Sequence, residues 1–421
     1  MAKIEPFQSV HYNTGVVEDP SKVVCPPYDI IGAAKQEEYY QRHPYNMIRL
    51  ILGKELAGDK DLENQYTRAA GYMDEWSRRG VLMQDAKPAI YFYEQTFCVG
   101  KERKSRLGFI ALMQLDEEGS DQSIYPHEHT HTAPKEDRMK LMEAVEANLS
   151  PIFTVFSDQK GMIRDVFEKE VRKTPAFFSF EDEDGIENKI WQVHQESLIE
   201  KVKAFLSEKD LFIADGHHRH EVARMFRDKK RSQHPNLFKK SYNYIMTYFT
   251  ALEDPGLCVL PTHRLVKNVR FDVDIFSSCF SIKELPSKEK LVSEMEEKMS
   301  EPGVFGLYKD NKFYLLKLTD KRECNRLIQD GPKEYKNLDV VILQKVIFDS
   351  FLKIPLSQVQ YEVDLDKGIK FVDEKACDAL FVMNATKIDQ IRSIALSGEV
   401  MPQKSTYFYP KLLSGLLIHK F

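Results

Sequence analysis

The chain has 421 residues, 42% apolar and 30% charged, with a formal net charge of −5. That length exceeds one small core and implies two or three domains, and the acidic balance argues against a broad non-specific nucleic-acid surface. No stretch is apolar for the length of a bilayer span, the opening MAKIEPFQSVHYNTG lacks a signal-peptide run, and the six scattered cysteines include no CxxC pair; a cytoplasmic chain with reduced thiols and neither a membrane nor a nucleic-acid partner is expected.

In chain order, Pro26 and Pro27 keep VVCPPYDIIG out of a helix. Tyr66, Ala69, Ala70, Met73 and Trp76 recur at helical spacing and predict a helix over 60–79, stopped by Gly80. AIYFYEQTF and RLGFIALMQL read as a hairpin around Gly100. PKEDRMKLMEAVEANL is helical, with Pro134 in its first turn. PIFTVFS reads as a buried strand, and PAFFSF with IENKIWQV as a second hairpin. A helix at 196–207 precedes the strand LFIA, a helix follows from about 216, and YNYIMTYFTAL is the next strand. The pattern loosens near 266–285. Beyond it come helices at 285–300, 337–352 and 386–396 and the strands VFGLYK, KFYLLKL and ALFVMN. The alternation predicts a mixed α/β or α+β protein with regions 1–115, 116–265 and 266–421.

The segment LFIADGHHRHEVARMF carries the chemistry. An apolar strand runs into a helix, so DGHHR lies where unpaired amides and the positive end of a helix dipole are exposed. Asp215 suits an N-cap, and Gly216 allows a tight turn. His217, His218 and Arg219 then project from the first turn, a donor set that suits a phosphate. A metal is the competing use, since His217 and Glu221 are four apart, but a third ligand must come from elsewhere. A solvated, histidine-rich first turn explains the pattern without any ligand.

A second cluster, SIYPHEHTHTAPKEDR, spells HExxH with His127, Glu128 and His131. Zinc-peptidase chemistry needs that motif on a helix. Here it is boxed by Pro126 and Pro134 and has no apolar face to bury, so it is expected to be non-helical and zinc-free. What remains is a loop bearing the Glu128 carboxylate beside Lys135 and Arg138. A polar loop with no function fits equally. Near the C-terminus, Lys404, Ser405 and Thr406 have phosphate-binding residue types without the glycine loop of a Walker A motif. Turns account for CPPYDII and HPYNMIRL.

PPYDII, HPYNMIRL, YEQTF, PHEHT…PKEDR, NLSPIF, IADGHHRHE, LPTHRL and MPQKSTYFYPKLLSGL occur in an order that resembles domain-of-unknown-function family 1015, over about 5–416. PHE followed by a strand and DGHHR is also similar, over about 120–265, to the ADP-dependent free-serine kinases of the ParB/sulfiredoxin-like superfamily. That resemblance implies a ParB/sulfiredoxin-like core within a larger multi-domain chain. It implies Glu128 as catalytic base, with Asp215, Gly216, His218 and Arg219 as the phosphate junction and His217 at the variable position. More chain separates PHE from DGHHR here than in those compact kinases.

The function so implied is transfer of a phosphoryl group from ADP or ATP to a free hydroxyl amino acid such as serine. Gly216, His217 and Arg219 would cradle phosphate, with Lys135, Arg138 and Lys404 adding charge. His218 would donate to the moving phosphoryl group and Asp215 would hold Mg²⁺ or substrate. Glu128 would take the hydroxyl proton, in one cleft shared with the junction. Two other classes are a nucleotide-responsive regulatory protein without turnover and a metal-dependent hydrolase.

Overall fold

The computed structural model describes residues 2–117, 123–128, 132–233, 235–237 and 239–421. The chain divides into two compact units. The first comprises Met1–Tyr125, Thr130–Leu257 and Pro410–Phe421, and the second Pro126–His129 and Cys258–Tyr409.

The first unit is built on a nine-stranded mixed sheet. Its strands are β1 (Ile4–Glu5), β2 (Ile90–Val99), β3 (Glu102–Gln114), β4 (Ile124–Tyr125), β5 (Ile152–Phe156), β6 (Phe178–Glu181), β7 (Glu187–Val193), β8 (Leu211–Asp215) and β9 (Tyr244–Ala251). The order is β4-β8-β5-β9-β3-β2-β7-β6, and β1 also pairs with β3. Both expected hairpins are present, β2–β3 and β6–β7. Helices α1 (Ala33–Arg42), α2 (Gln65–Arg78), α3 (Thr132–Val145), α4 (Glu196–Ser207) and α5 (His217–Gln233) belong to the same unit. Asn64 caps α2 through its side chain, which explains why the helix begins there and not at 60.

Strand β8 is buried from Leu211 to Ala214 and β5 along its length, as their mostly apolar sequences require. Val222, Ala223 and Phe226 of α5 join Ile213, Phe109 and Phe249 in one core. Burying Phe226 alone is worth about 2–3 kcal/mol and fixes the helix at the end of β8. A second core gathers Ala69, Met73 and Trp76 of α2 with Leu141 and Val145 of α3 and with Met47 and Ile418.

The second unit holds a six-stranded antiparallel sheet. Its strands are β10 (His263–Val266), β11 (Phe280–Leu285), β12 (Val304–Lys309), β13 (Lys312–Leu318), β14 (Val359–Glu362) and β15 (Ala379–Val382), in the order β11-β13-β12-β15-β10-β14. Helices α6 (Lys288–Glu297) and α7 (Leu365–Asp373) accompany it, and Leu291 packs with Leu265, Leu315 and Leu380. The helix expected at 337–352 opens as an α-helical turn, Asp339–Ile342, and continues as a π-helix, Leu343–Leu352. Among the described residues no helix is long and apolar enough to cross a membrane.

Candidate functional site

Strand β8 ends at Asp215 and α5 begins at His217, so the turn between them is a single residue. Gly216 has φ +93°, and its carbonyl accepts the first helical bond from His220 N at 3.0 Å. Gly216 therefore occupies the position before the helix. The Asp215 carboxylate, just before that position, holds two cations. Arg219 Nη2 donates to Asp215 Oδ2 at 2.7 Å, and Lys411 Nζ donates to Oδ1 at 2.6 Å. Arg219 also donates to the Pro151 carbonyl. A Cβ on residue 216 would lie 2.9 Å from Ile152 Cγ2 and 3.0 Å from Arg219 Nη2. The glycine lets the guanidinium lie against the turn, at the amide end of α5.

His217 and His220 are buried; His218 and Arg219 are half-buried. Burial, aided by the charge of Arg224, lowers the His220 imidazole to about 4, so it is neutral at physiological pH. Both oxygens of Asp215 already hold cations, which does not fit the expected Mg²⁺ ligand. Among the described residues no group of three or more His, Cys, Asp or Glu side chains could hold a metal.

Beside the junction lies a cavity of about 50 Å³ lined by Tyr28, Arg138, Asn148, Ser150 and Arg219 together with aliphatic residues such as Leu141 and Val222. Arg138, expected at a phosphate, stacks over the Tyr28 ring at 4.0 Å. It donates to the Ile51 carbonyl at 2.6 Å and pairs with Asp137 at 2.6 Å. Burial raises the Tyr28 phenol above its ordinary value, against the opposing pull of Arg138 and Arg219. Lys135 is not at the cavity: its Nζ donates to Glu221 Oε1 at 2.8 Å, tying α3 to α5.

Glu128 belongs to the second unit. His127 and Glu128 are extended, and Glu128 bridges Met401 in parallel register. His131 falls outside the described residues, so the HExxH motif is described only at its first two positions. Glu128 Oε1 accepts the Lys404 amide at 2.9 Å. Lys404 sits in the left-handed region (φ +55°), and its carbonyl accepts Arg264 Nη2 at 3.0 Å. Arg264 is buried and donates also to the Thr262 carbonyl, with no ion pair among the described residues. Burial lowers it to about 10. Thr262 Oγ1 and Asn384 Nδ2 are buried without a hydrogen-bond partner.

The structure thus brings Asp215, Gly216, His217, His218 and Arg219 together with Arg138, and Glu128 together with Lys404. Sequence reading assigned Tyr28 to a turn, and gave no site role to Asn148 and Lys411 in the first unit or to Thr262, Arg264 and Asn384 in the second. Each sits in a segment whose turn or strand chemistry explained it in isolation.

The model of a protein family of unknown function, DUF1015, matches residues 4–341. The chain belongs to the DUF1015 family. No curated protein matches it. Solved structures similar to this DUF1015 chain include a free serine kinase variant in complex with ADP, at 13% identity and TM-score 0.35, covering 68% of this chain and 84% of that one. Another is a conserved hypothetical protein from Pyrococcus furiosus, at 14% identity and TM-score 0.34, covering 70% and 92%. A third is C-terminally truncated SbnI from Staphylococcus aureus, at 9% identity and TM-score 0.36, covering 74% and 87%. Scores at this level transfer no activity, and the functional reading rests on the side chains described above.

Proposed function

We propose that this DUF1015 chain is a phosphotransferase that moves a phosphoryl group from ADP or ATP to a small hydroxyl-bearing acid such as serine. The observation that carries this reading is the one-residue turn at Gly216, which opens the amide end of α5 directly after a buried strand, with Arg219 and Lys411 beside it. Phosphoryl transfer is chiefly positioning and charge stabilisation, and this turn supplies donors and cations in a fixed frame. Arg219 and the amides of His217 and His218 hold the nucleotide phosphates. The His218 imidazole donates to the moving group.

In the transfer step the acceptor hydroxyl oxygen bonds to the terminal phosphorus. The bond from that phosphorus to the bridging oxygen breaks, and its electron pair leaves with AMP from ADP or ADP from ATP. A base takes the hydroxyl proton, the role expected of Glu128, whose carboxylate accepts the Lys404 amide within the second unit. In the second unit, Arg264, with no ion pair among the described residues, and the donors of Thr262 and Asn384, with no hydrogen-bond partner among them, suit a small carboxylate. No step is routed through Mg²⁺.

The test is ³¹P NMR of the purified chain with ADP or ATP and a panel of hydroxyl amino acids, in buffers with and without Mg²⁺. A phosphomonoester signal that requires one acceptor supports the reading. Nucleotide binding with no product for any acceptor would favour a regulatory binder instead.

A further inference from the structure

The cavity beside the junction is lined mostly by aliphatic carbon with a few hydrogen-bond donors and, among the described residues, no carboxylate on its wall. Asn148 is 4% exposed. Its Oδ1 accepts the Met246 amide at 3.0 Å, which fixes the side-chain orientation and leaves the Nδ2 amide donating to no protein group among the described residues. The Tyr28 hydroxyl likewise has no protein hydrogen-bond partner among the described residues, although the charges of Arg138 and Arg219 both act on it. Ser150 Oγ is 2.6 Å from Ser414 Oγ, so one of these two hydroxyls donates to the other. The amide donor of a buried asparagine that faces a cavity and no protein acceptor among the described residues calls for an occupant that accepts hydrogen bonds.

Size decides which occupant. A water needs about 10–15 Å³ of such volume, so 50 Å³ takes roughly four water-sized atoms. That accommodates a single tetrahedral or planar oxyanion and excludes a purine ring. We propose that this cavity is a binding site for one small oxyanion, held by Tyr28 Oη and Asn148 Nδ2, with the positive charges of Arg138 and Arg219 on the wall beside it. Building on the phosphate-handling reading of the junction, the occupant is the terminal phosphoryl group of the nucleotide. A free carboxylate offers the same acceptor chemistry. The nucleoside lies outside, because the aliphatic walls of Leu141, Met142, Leu149 and Val222 leave no room for it.

The experiment titrates inorganic phosphate, acetate and ADP separately into the wild-type chain, Tyr28→Phe and Asn148→Asp by calorimetry. Tyr28→Phe removes one hydroxyl. Asn148→Asp keeps the acceptor for the Met246 amide and replaces the donor with a negative charge. Native tryptophan fluorescence confirms that each variant is folded. The expected result is phosphate binding to the wild type, weakened about tenfold or more in Tyr28→Phe and lost in Asn148→Asp. Acetate binding with the same losses, and no phosphate binding, would retain the oxyanion site but assign it to a carboxylate. Phosphate and ADP bound equally by all three proteins would overturn the cavity proposal and leave the junction reading standing. ADP bound by none, with phosphate still lost in the variants, would sink the junction reading and retain the cavity. Failure of the wild type to bind either oxyanion overturns the proposal.

Discussion

Replacing Gly216 with alanine tests the local geometry on which the site is built. At φ +93° an L-residue costs about 1–2 kcal/mol. The new methyl would also meet Ile152 Cγ2 at 2.9 Å and Arg219 Nη2 at 3.0 Å, within a buried strand and a guanidinium already held by two acceptors. Overpacking of this kind adds about 1–3 kcal/mol, for a total of roughly 2–5 kcal/mol. Gly161 provides the control: it too has positive φ (+65°), but a Cβ there meets nothing within 4 Å. Gly161→Ala should cost only the backbone strain, about 1 kcal/mol. The assay is urea unfolding followed by tryptophan fluorescence, because both tryptophans, Trp76 and Trp191, lie in the first unit. With a slope of about 3 kcal/mol/M, Gly216→Ala should lower the midpoint by about 1 M and Gly161→Ala by about 0.3 M. Equal shifts in the two variants would refute the argument that side-chain crowding at the turn demands glycine.

Burial pushes the Asp339 carboxyl, which accepts the Gly303 amide at 2.7 Å, up to about 6. A carboxyl raised on folding favours the native state when protonated, so its contribution is full below about pH 4 and is lost as pH rises through 6. Asp339→Asn should therefore raise the melting temperature at pH 7.5 and leave it nearly unchanged at pH 4; an unchanged melting temperature at both would contradict this. Burial lowers His220, His263 and His419 to about 4, and His263 Nδ1 accepts the Met383 amide at 3.1 Å. Histidines depressed on folding contribute stability at pH 7 that is lost as pH falls from about 6.5 towards 4. Proton NMR at pH 5.5 should find all three neutral, and a charged resonance for any of them would show that its burial is overstated.

Much of the secondary structure was legible in the sequence because its signals are local. The helix at 196–207 and both hairpins follow from spacing and turn residues alone. Helix α1 escaped, since AAKQEEYYQR buries only Tyr39 and leaves almost no apolar stripe. Helix α7 escaped because Leu365–Asp373 lies within a run of charges. The junction was readable for the same reason as the hairpins: an apolar run, a glycine and a helical pattern are contiguous. The cavity was not readable. Tyr28, Asn148 and Arg219 are far apart in sequence, and only the pairing of strands and the docking of α3 on α5 bring them together. The ion pairs of Asp215 with Arg219 and Lys411 were not readable either, because Lys411 comes from a distant part of the chain.

The roles assigned to Glu128 and Arg219 separate in one measurement, calorimetric titration of ADP into the wild type, Glu128→Gln and Arg219→Ala, each first confirmed as folded. A base is dispensable for holding nucleotide, whereas a phosphate ligand is not. The proposed mechanism therefore has Glu128→Gln binding ADP as the wild type does while forming no phosphomonoester, and Arg219→Ala binding it at least tenfold more weakly. Equal loss of ADP affinity in both variants, or undiminished affinity in Arg219→Ala, would contradict the central claim that the Gly216 turn holds the phosphates and Glu128 activates the acceptor.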